Sequence, residues 1–446
     1  MEQTIEAIEK SETELSKQEI PAGILKITNY YDNVKLLCNI NPFFYDTAKI
    51  FWIWNKLEFR WEMVDETDVL IMIDRALNFG GQLITSKVKG NYMEAFKQVG
   101  RSNTPEDMPK HWLQFKDQFY DLETRKVSPA TPKYFCCNPI PWKLGKSVNT
   151  PVMDRLFTEW VGSKFISTLY EIIAYSCVAD YPIHRMFCLV GGGRNGKSQY
   201  QKVIQNFIGA TNICSTELDL LIDNRFESAK LYKKLVCTLG ETNFGVMSKT
   251  SLLKKLTGGD LIGYEFKNKT PFDDYNYAKI IINSNSLPSS LDTSDGFYRR
   301  WLILEFPNEF PEGKDIIATI PEVEYDNLAR KSALLISKLI ETGSFSNEGT
   351  IEERKKRYIM ASNPLPHFLK SFCSRGVDDY ITTNELYNAY IQYLNAKKKR
   401  KVSRKEFFDI LADEGLFQIR TTRDLITDRF IEGIKLVDDW KILIYA

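Results

Sequence analysis

The stretch RMFCLVGGGRNGKSQYQKVIQNFIG, residues 185–209, decides the fold. Met186–Val190 is a short apolar run of the kind that forms a buried strand, and the segment after the glycines carries apolar residues at helical spacing. Between them, Gly191-x-x-x-x-Gly196-Lys197-Ser198 fits the phosphate-loop pattern. Such a loop needs glycines so that the backbone can curl around an anion. Its N–H groups and the following helix N-terminus cradle phosphates, the lysine reaches the β and γ groups, and the serine hydroxyl holds Mg²⁺. Gly191, Gly192, Gly193, Arg194, Asn195, Gly196, Lys197 and Ser198 are the expected nucleotide cradle. A glycine turn made only for packing is the bland alternative, and the strand-before, helix-after context counts against it.

Working outward, the apolar runs Leu235–Leu239, Ile280–Ile282 and Leu302–Phe306 alternate with helical patterns, which predicts an α/β block with a buried parallel sheet over residues 152–345. KLVCTLGETN ends a strand at Glu241, where a carboxylate can polarise a water and help hold Mg²⁺; a solvent-facing turn residue is the alternative. Position 240 is glycine, so only one acid stands there. Thr257-Gly258-Gly259-Asp260 marks a tight turn, and the apolar alternation that runs through YEF into KNKT predicts a hairpin with Lys267 and Lys269 near its tip, either a DNA grip or a solvated turn. The strand AKIIIN delivers Asn283, Ser284 and Asn285 to the sheet edge, and Asn285 can bond both a γ-phosphate and an attacking water. Arg299 and Arg300 precede the last strand, placed to face a neighbouring subunit's nucleotide or to form ordinary surface ion pairs.

The flanks say less. Residues 1–22 read as a polar lead and 23–151 as a mainly helical domain, in which Trp52, Trp54 and Trp61 are better assigned to a core than to base stacking. Residues 346–446 contain two capping-box signatures, Thr382-x-x-Glu385 and Ser403-x-x-Glu406, then a strand-turn-strand pattern, which predicts a winged helix. Between its helices LNAKKKRKVSRK holds seven basic residues and no acid; Lys397, Lys398, Lys399, Arg400 and Lys401 are candidates for DNA-backbone contact, or a solvated loop.

Composition sets the outer limits. Lys+Arg of 59 against Asp+Glu of 58 excludes a wholly basic nucleic-acid coat but not local basic patches. The 43% hydrophobic content excludes wholesale disorder. Eight scattered cysteines without a C-x-x-C pair, and three histidines, leave few ligands for zinc. The absence of a long apolar run or leader predicts a soluble protein without membrane association.

The ordered set GGGRNGKS, GETN, LLKKLTGGD, INSNSLP and DGFYRRWLILEFP resembles the superfamily III helicases, hexameric AAA+ DNA motors of small DNA viruses, satellite phages, plasmids and poxviruses. The primase-helicase proteins of poxviruses, phages and plasmids are the nearest in look, over most of residues 115–310. The resemblance implies an AAA+ P-loop ATPase core that uses ATP and Mg²⁺. Lys197 and Ser198 would bind phosphate and metal, Glu241 would activate water, and Asn285 would sense the γ-phosphate. Arg300 would be the trans-acting arginine finger, with Arg299 as substitute, and Lys267 and Lys269 would grip DNA in the ring channel. Gly240 departs from relatives that carry a second acid there. The implied protein is a 3′–5′ replicative helicase that works as a hexameric ring on single-stranded and forked DNA. It would act in the host cytoplasm at the replication site, with a primase or polymerase as possible partner. No carboxylate-and-histidine primase-polymerase site is evident, so the chain is either a motor alone or part of a longer polypeptide. A non-helicase AAA+ remodelling or loading ATPase is the alternative, and a small-molecule kinase is a third.

Overall fold

Aromatic strands, rather than helices, organise the beginning of the chain. The computed structural model describes residues 29–78, 85–192, 194–240, 246–247, 249–285, 287–311, 316–396, 402–423 and 426–445. Two units result: Met1–Phe119 with Val127–Pro139, and Tyr120–Lys126 with Ile140–Ala446. In the first, helix α1 (Tyr30–Ile40) leads into an antiparallel meander of β1 (Phe43–Tyr45), β2 (Phe51–Asn55) and β3 (Arg60–Val64), followed by α2 (Glu66–Asn78) and α3 (Ser86–Ser102). The expectation of a mainly helical domain is therefore corrected to a mixed one. FWIWN and RWEMV favour the pleated, half-buried environment of a sheet. The turn between them is fixed by the Asn55 side chain, which accepts hydrogen bonds from the N–H groups of Leu57 and Glu58 at 2.9 and 3.0 Å. Trp54 pairs with Trp61 across the strands. Trp52, Trp54 and Trp61 are all buried core residues.

The second unit opens with α4 (Pro151–Val161) and α5 (Ile166–Tyr175) and then builds a five-stranded parallel sheet. Its strands are β4 (Met186–Val190), β5 (Ile213–Thr216), β6 (Val236–Leu239), β9 (Lys279–Ser284) and β10 (Trp301–Glu305), in the spatial order β5-β6-β9-β4-β10. An antiparallel hairpin, β7 (Leu261–Tyr264) and β8 (Phe272–Tyr275), interrupts the series before β9. Helix α6 (Lys197–Ile208) follows β4 directly, and α7 (Ser251–Leu256) precedes the hairpin. The four strands read from the sequence are present. The fifth, β5, has the sequence ICST and lies at the sheet edge, where half-exposed positions remove the continuous apolar signal.

Beyond β10 come the long helix α8 (Glu322–Thr342), then α9 (Ile351–Ser362) and α10 (Leu365–Phe372). A short strand β11 (Tyr380–Thr382), helices α11 (Thr383–Ala396) and α12 (Arg404–Asp413), the hairpin β12 (Gln418–Arg423) and β13 (Ile426–Glu432), and a last helix, Trp440–Tyr445, follow. The three strands form one sheet in the order β11-β13-β12. Thr382 and Glu385 make the reciprocal bonds of a capping box, and Ser403 Oγ accepts from the Glu406 N–H at 3.2 Å. Phe368, Tyr390, Tyr393, Phe407, Leu411 and Ile431 pack into one core.

Candidate functional site

The phosphate-loop segment leaves the C-terminal end of β4 between two neighbours, β9 and β10. This is the edge at which parallel sheets bind ligands, because the loops of strands that connect in opposite directions part there. Gly196 caps α6 with φ of 94°, a left-handed conformation, and a Cβ at this position would come within 2.5 Å of the Trp160 ring. Both facts require glycine. Asn195 is buried, and its Nδ2 donates to the Phe306 carbonyl at 3.2 Å. The Phe310 N–H donates to the Arg194 carbonyl at 2.8 Å and the Phe306 N–H to that of Val190 at 2.8 Å, so the chain after β10 is laced along the loop.

Lys197 is only 7% exposed. Its Nζ donates to the Gly191 carbonyl at 2.7 Å and to Asn195 Oδ1 at 3.0 Å, within the curl of the loop itself. The loop borders a cavity of about 860 Å³. Arg194, Asn195, Gly196, Lys197 and Ser198 line it, as do Ser215 from β5, Thr238 and Leu239 from β6 with the following Gly240, and Asn283 and Ser284 from β9 with the following Asn285. Strand register explains the convergence: Asn283 pairs with Leu189 and Ser284 with Val190, so both chains leave the sheet at the same edge, Asn285 just after one strand and Gly191 just after the other. Trp160, Phe310, Pro311 and Ile316 supply an apolar flank on the β10 side, while the polar strand tips lie on the other.

Two amide oxygens here, Gln199 Oε1 and Asn283 Oδ1, are buried without a hydrogen-bond partner. Asn283 Nδ2 donates to Gln201 Oε1. The Ser198 hydroxyl is exposed at the cavity wall. Together these oxygens suit a hydrated Mg²⁺ carried in by a nucleotide, since Mg²⁺ keeps several waters that must donate to the protein. No group of three or more His, Cys, Asp or Glu side chains able to hold a metal occurs among the described residues.

Of the other residues singled out from the sequence, Glu241, Gly193 and Lys397, Lys398, Lys399, Arg400 and Lys401 lie outside the described residues. Lys267 and Lys269 are exposed in the connection between β7 and β8. Arg299 and Arg300 part company. Arg300 is 7% exposed, and its guanidinium donates to Thr257 Oγ1 at 3.0 Å and to the Gly296 and Lys254 carbonyls, whereas Arg299 is exposed. Gln201, Thr238 and Trp160 border the cavity without having been singled out from the sequence. Asn283 was placed at the sheet edge without a role, although INSNS sets it two positions before Asn285 and so offered a signal for one. Trp160 is remote in sequence and carried none.

With this geometry in place, comparison with known proteins adds the following. Residues 189–300 match the model of a family of unknown function (DUF5906). No curated protein matches significantly. Among solved structures, an A form apo structure of the NrS-1 C-terminal region is similar, with a TM-score of 0.46 and 13% identity over 92% of this chain and 99% of that one. A second A form apo structure of that region gives a TM-score of 0.48 and 14% identity over 87% and 86% of the two chains. No helix among the described residues is long and apolar enough to cross a membrane.

Proposed function

We propose that this chain is an ATP-driven DNA helicase of the superfamily III type, with an AAA+ core spanning β4–β10 and a C-terminal winged helix. The observation that carries this reading is the cavity at the C-terminal edge of the sheet, where the loop bearing Lys197 and Ser198 meets Asn285 from the neighbouring strand. MgATP is the substrate. The loop N–H groups and Lys197 bind its phosphates, and Ser198 with its buried amide neighbours receives the hydrated metal. Glu241 follows Gly240, a cavity residue, and accepts the proton of the water that attacks the γ-phosphorus as the bond to the bridging oxygen breaks. Asn285 bonds the γ-phosphate and orients that water.

Beyond Lys197, a further cation for the transition state comes in a ring from the next subunit. Arg299 suits this role better than Arg300, because a finger must reach outward and Arg300 is spent inside the fold on Thr257, Gly296 and Lys254. The hairpin lysines follow DNA phosphates as hydrolysis shifts the subunits. The α10-β11-α11-α12-β12-β13 order, with its three-stranded sheet, supports a winged helix.

The test is ATP hydrolysis with and without single-stranded DNA, alongside unwinding of forks with a 3′ or a 5′ tail. ATPase stimulated by DNA and opening of one fork polarity are expected, both abolished in Lys197→Ala. ATPase activity that ignores DNA, with neither fork opened, would favour a remodelling or loading ATPase instead. In rings mixed with active subunits, Arg299→Ala should poison activity more than in proportion to its share, and Arg300→Ala should act mainly by destabilising the fold.

A further inference from the structure

We propose that the outward face of the β7–β8 hairpin binds the unstacked bases of a nucleic-acid single strand, with Tyr275 as the stacking platform and Lys267 and Lys269 holding the phosphates. The proposal rests on the DNA-binding reading above and adds the site at which bases are held.

The hairpin has two faces of different character. Its register pairs Leu261 with Tyr275, Ile262 with Asp274, Gly263 with Asp273 and Tyr264 with Phe272. Side chains alternate along each strand, so Ile262, Tyr264 and Phe272 share one face and Leu261, Gly263 and Tyr275 the other. The inward face is complete: the Tyr232 ring lies 5.3 Å from Tyr264 and 5.0 Å from Phe272, centre to centre. Tyr275 takes no part in that cluster. It is 60% exposed, beside its cross-strand partner Leu261 at 53%. Two adjacent uncovered apolar side chains on a short hairpin contribute little to its folding, and burial against a ligand is what they lack.

The residues between this pair and the tip favour a flat, neutral ligand group. At Gly263 an added Cβ would meet only Asp273 Oδ1, at 3.5 Å, so no side chain rises opposite Asp273 and the outer surface stays open. Asp273 itself is exposed on that face and repels phosphate. The other acids of the hairpin are neutralised, Asp274 by Lys233 at 2.7 Å and Glu265 by Arg225 at 3.3 Å. Positive charge sits instead at the tip, on Lys267 and Lys269. A polyanion with planar substituents complements this division: phosphates go to the tip, bases to Tyr275 and Leu261. Strand β8 is about 10 Å long at roughly 3.3 Å per residue, so a few nucleotides reach both. Beside β7, Ser228 Oγ donates to the Gly263 carbonyl at 3.3 Å, and the exposed Phe226 ring, with the Arg225 guanidinium 4.7 Å from its centre, adds a second ring next to the hairpin.

The experiment uses the full chain and two fluorescent oligonucleotides of equal length, one of thymidines and one wholly abasic, titrated over a range of salt. Tyr275→Ala should weaken binding of the thymidine strand about 5- to 100-fold, the range expected for loss of one stacked base. It should leave the abasic strand and the salt slope unchanged, and Tyr275→Phe should bind like wild type. Lys267→Ala with Lys269→Ala should weaken both strands and flatten the slope. Equal loss on both strands in Tyr275→Ala, or no loss on either, overturns the proposal. So does a change in oligomeric mass in that variant, which would assign the face to a neighbouring copy. If wild-type protein binds neither oligonucleotide, the DNA reading itself fails, an outcome distinct from failure at Tyr275 alone.

Discussion

Each end of the parallel sheet buries a lysine, and the two are held for opposite purposes. At the C-terminal edge, Lys197 is bound by a carbonyl and an amide oxygen of its own loop beside an open cavity that retains two buried acceptors without partners. At the start of β9, Lys279 is fully buried, and its Nζ donates to the carbonyls of Val178, Asp180 and Tyr277 at 2.6, 2.7 and 2.8 Å. Its ammonium also lies 4.8 and 5.1 Å from the ring centres of Tyr175 and Tyr181. That second site is saturated and leaves no donor for a ligand. Burial alone does not mark function. What distinguishes the C-terminal edge is polar capacity left unspent within reach of a cavity.

The comparison can be broken most decisively at Lys197. Lys197→Ala should lower ATP turnover about 100- to 1,000-fold, the scale of losing a transition-state donor, with little change in melting temperature. A loss of stability without a loss of turnover would make the two lysines alike. Lys279→Met should do the reverse. Chemical denaturation should show a loss of about 3 kcal/mol, because three buried carbonyls lose their donor, while nucleotide affinity holds.

The pH dependence of that second pair has a definite sign. Burial pushes the Lys279 pKa down to about 7, so above that pH the unfolded lysine binds a proton that the folded one has released. Wild-type stability should therefore rise relative to Lys279→Met between about pH 7 and about 10. The exposed hairpin lysines give a smaller effect, since each neutralised phosphate contact contributes about 0.7 to the salt slope on single strands. Lys267→Ala should reduce the slope by that amount.

The smallest effect is expected at Asp292, a third kind of charged site. Burial would raise its pKa, but hydrogen bonds from Lys254, Ser294 and Thr250 hold the carboxyl well below the usual carboxylate range. Its stabilisation should be full above about pH 5 and decline as pH falls below the ordinary value of 3.8. The stability gap between wild type and Asp292→Asn should shrink over that interval.

Several elements were legible because a local pattern specifies them. The strand–glycine turn–helix at residues 186–208, the four apolar strands, the hairpin with its lysines and the capping residues Thr382 and Ser403 each combine a periodicity with a residue type that admits few conformations. The aromatic meander from Phe43 to Val64 was not, since three short strands among helical patterns carry little periodicity. Strand β5 escaped for the same reason. Trp160 could not be found because its role depends on α4 lying beneath Gly196, a contact between residues far apart in sequence.

The sequence by itself determined that a strand, a glycine turn and a helix follow one another at residues 186–208, and that Lys197 and Ser198 open that helix directly after the turn. Those are short-range facts, settled by which dihedrals and side-chain spacings neighbouring residues permit. Only the tertiary structure decided that Asn285 borders the same cavity as the glycine loop, since strand order and the Ser284–Val190 pairing bring the two strand ends together. It also decided which of two adjacent arginines faces outward. Arg299 and Arg300 are chemically identical, and the difference between them is the Thr257 hydroxyl and two carbonyls that the fold places beside one of them.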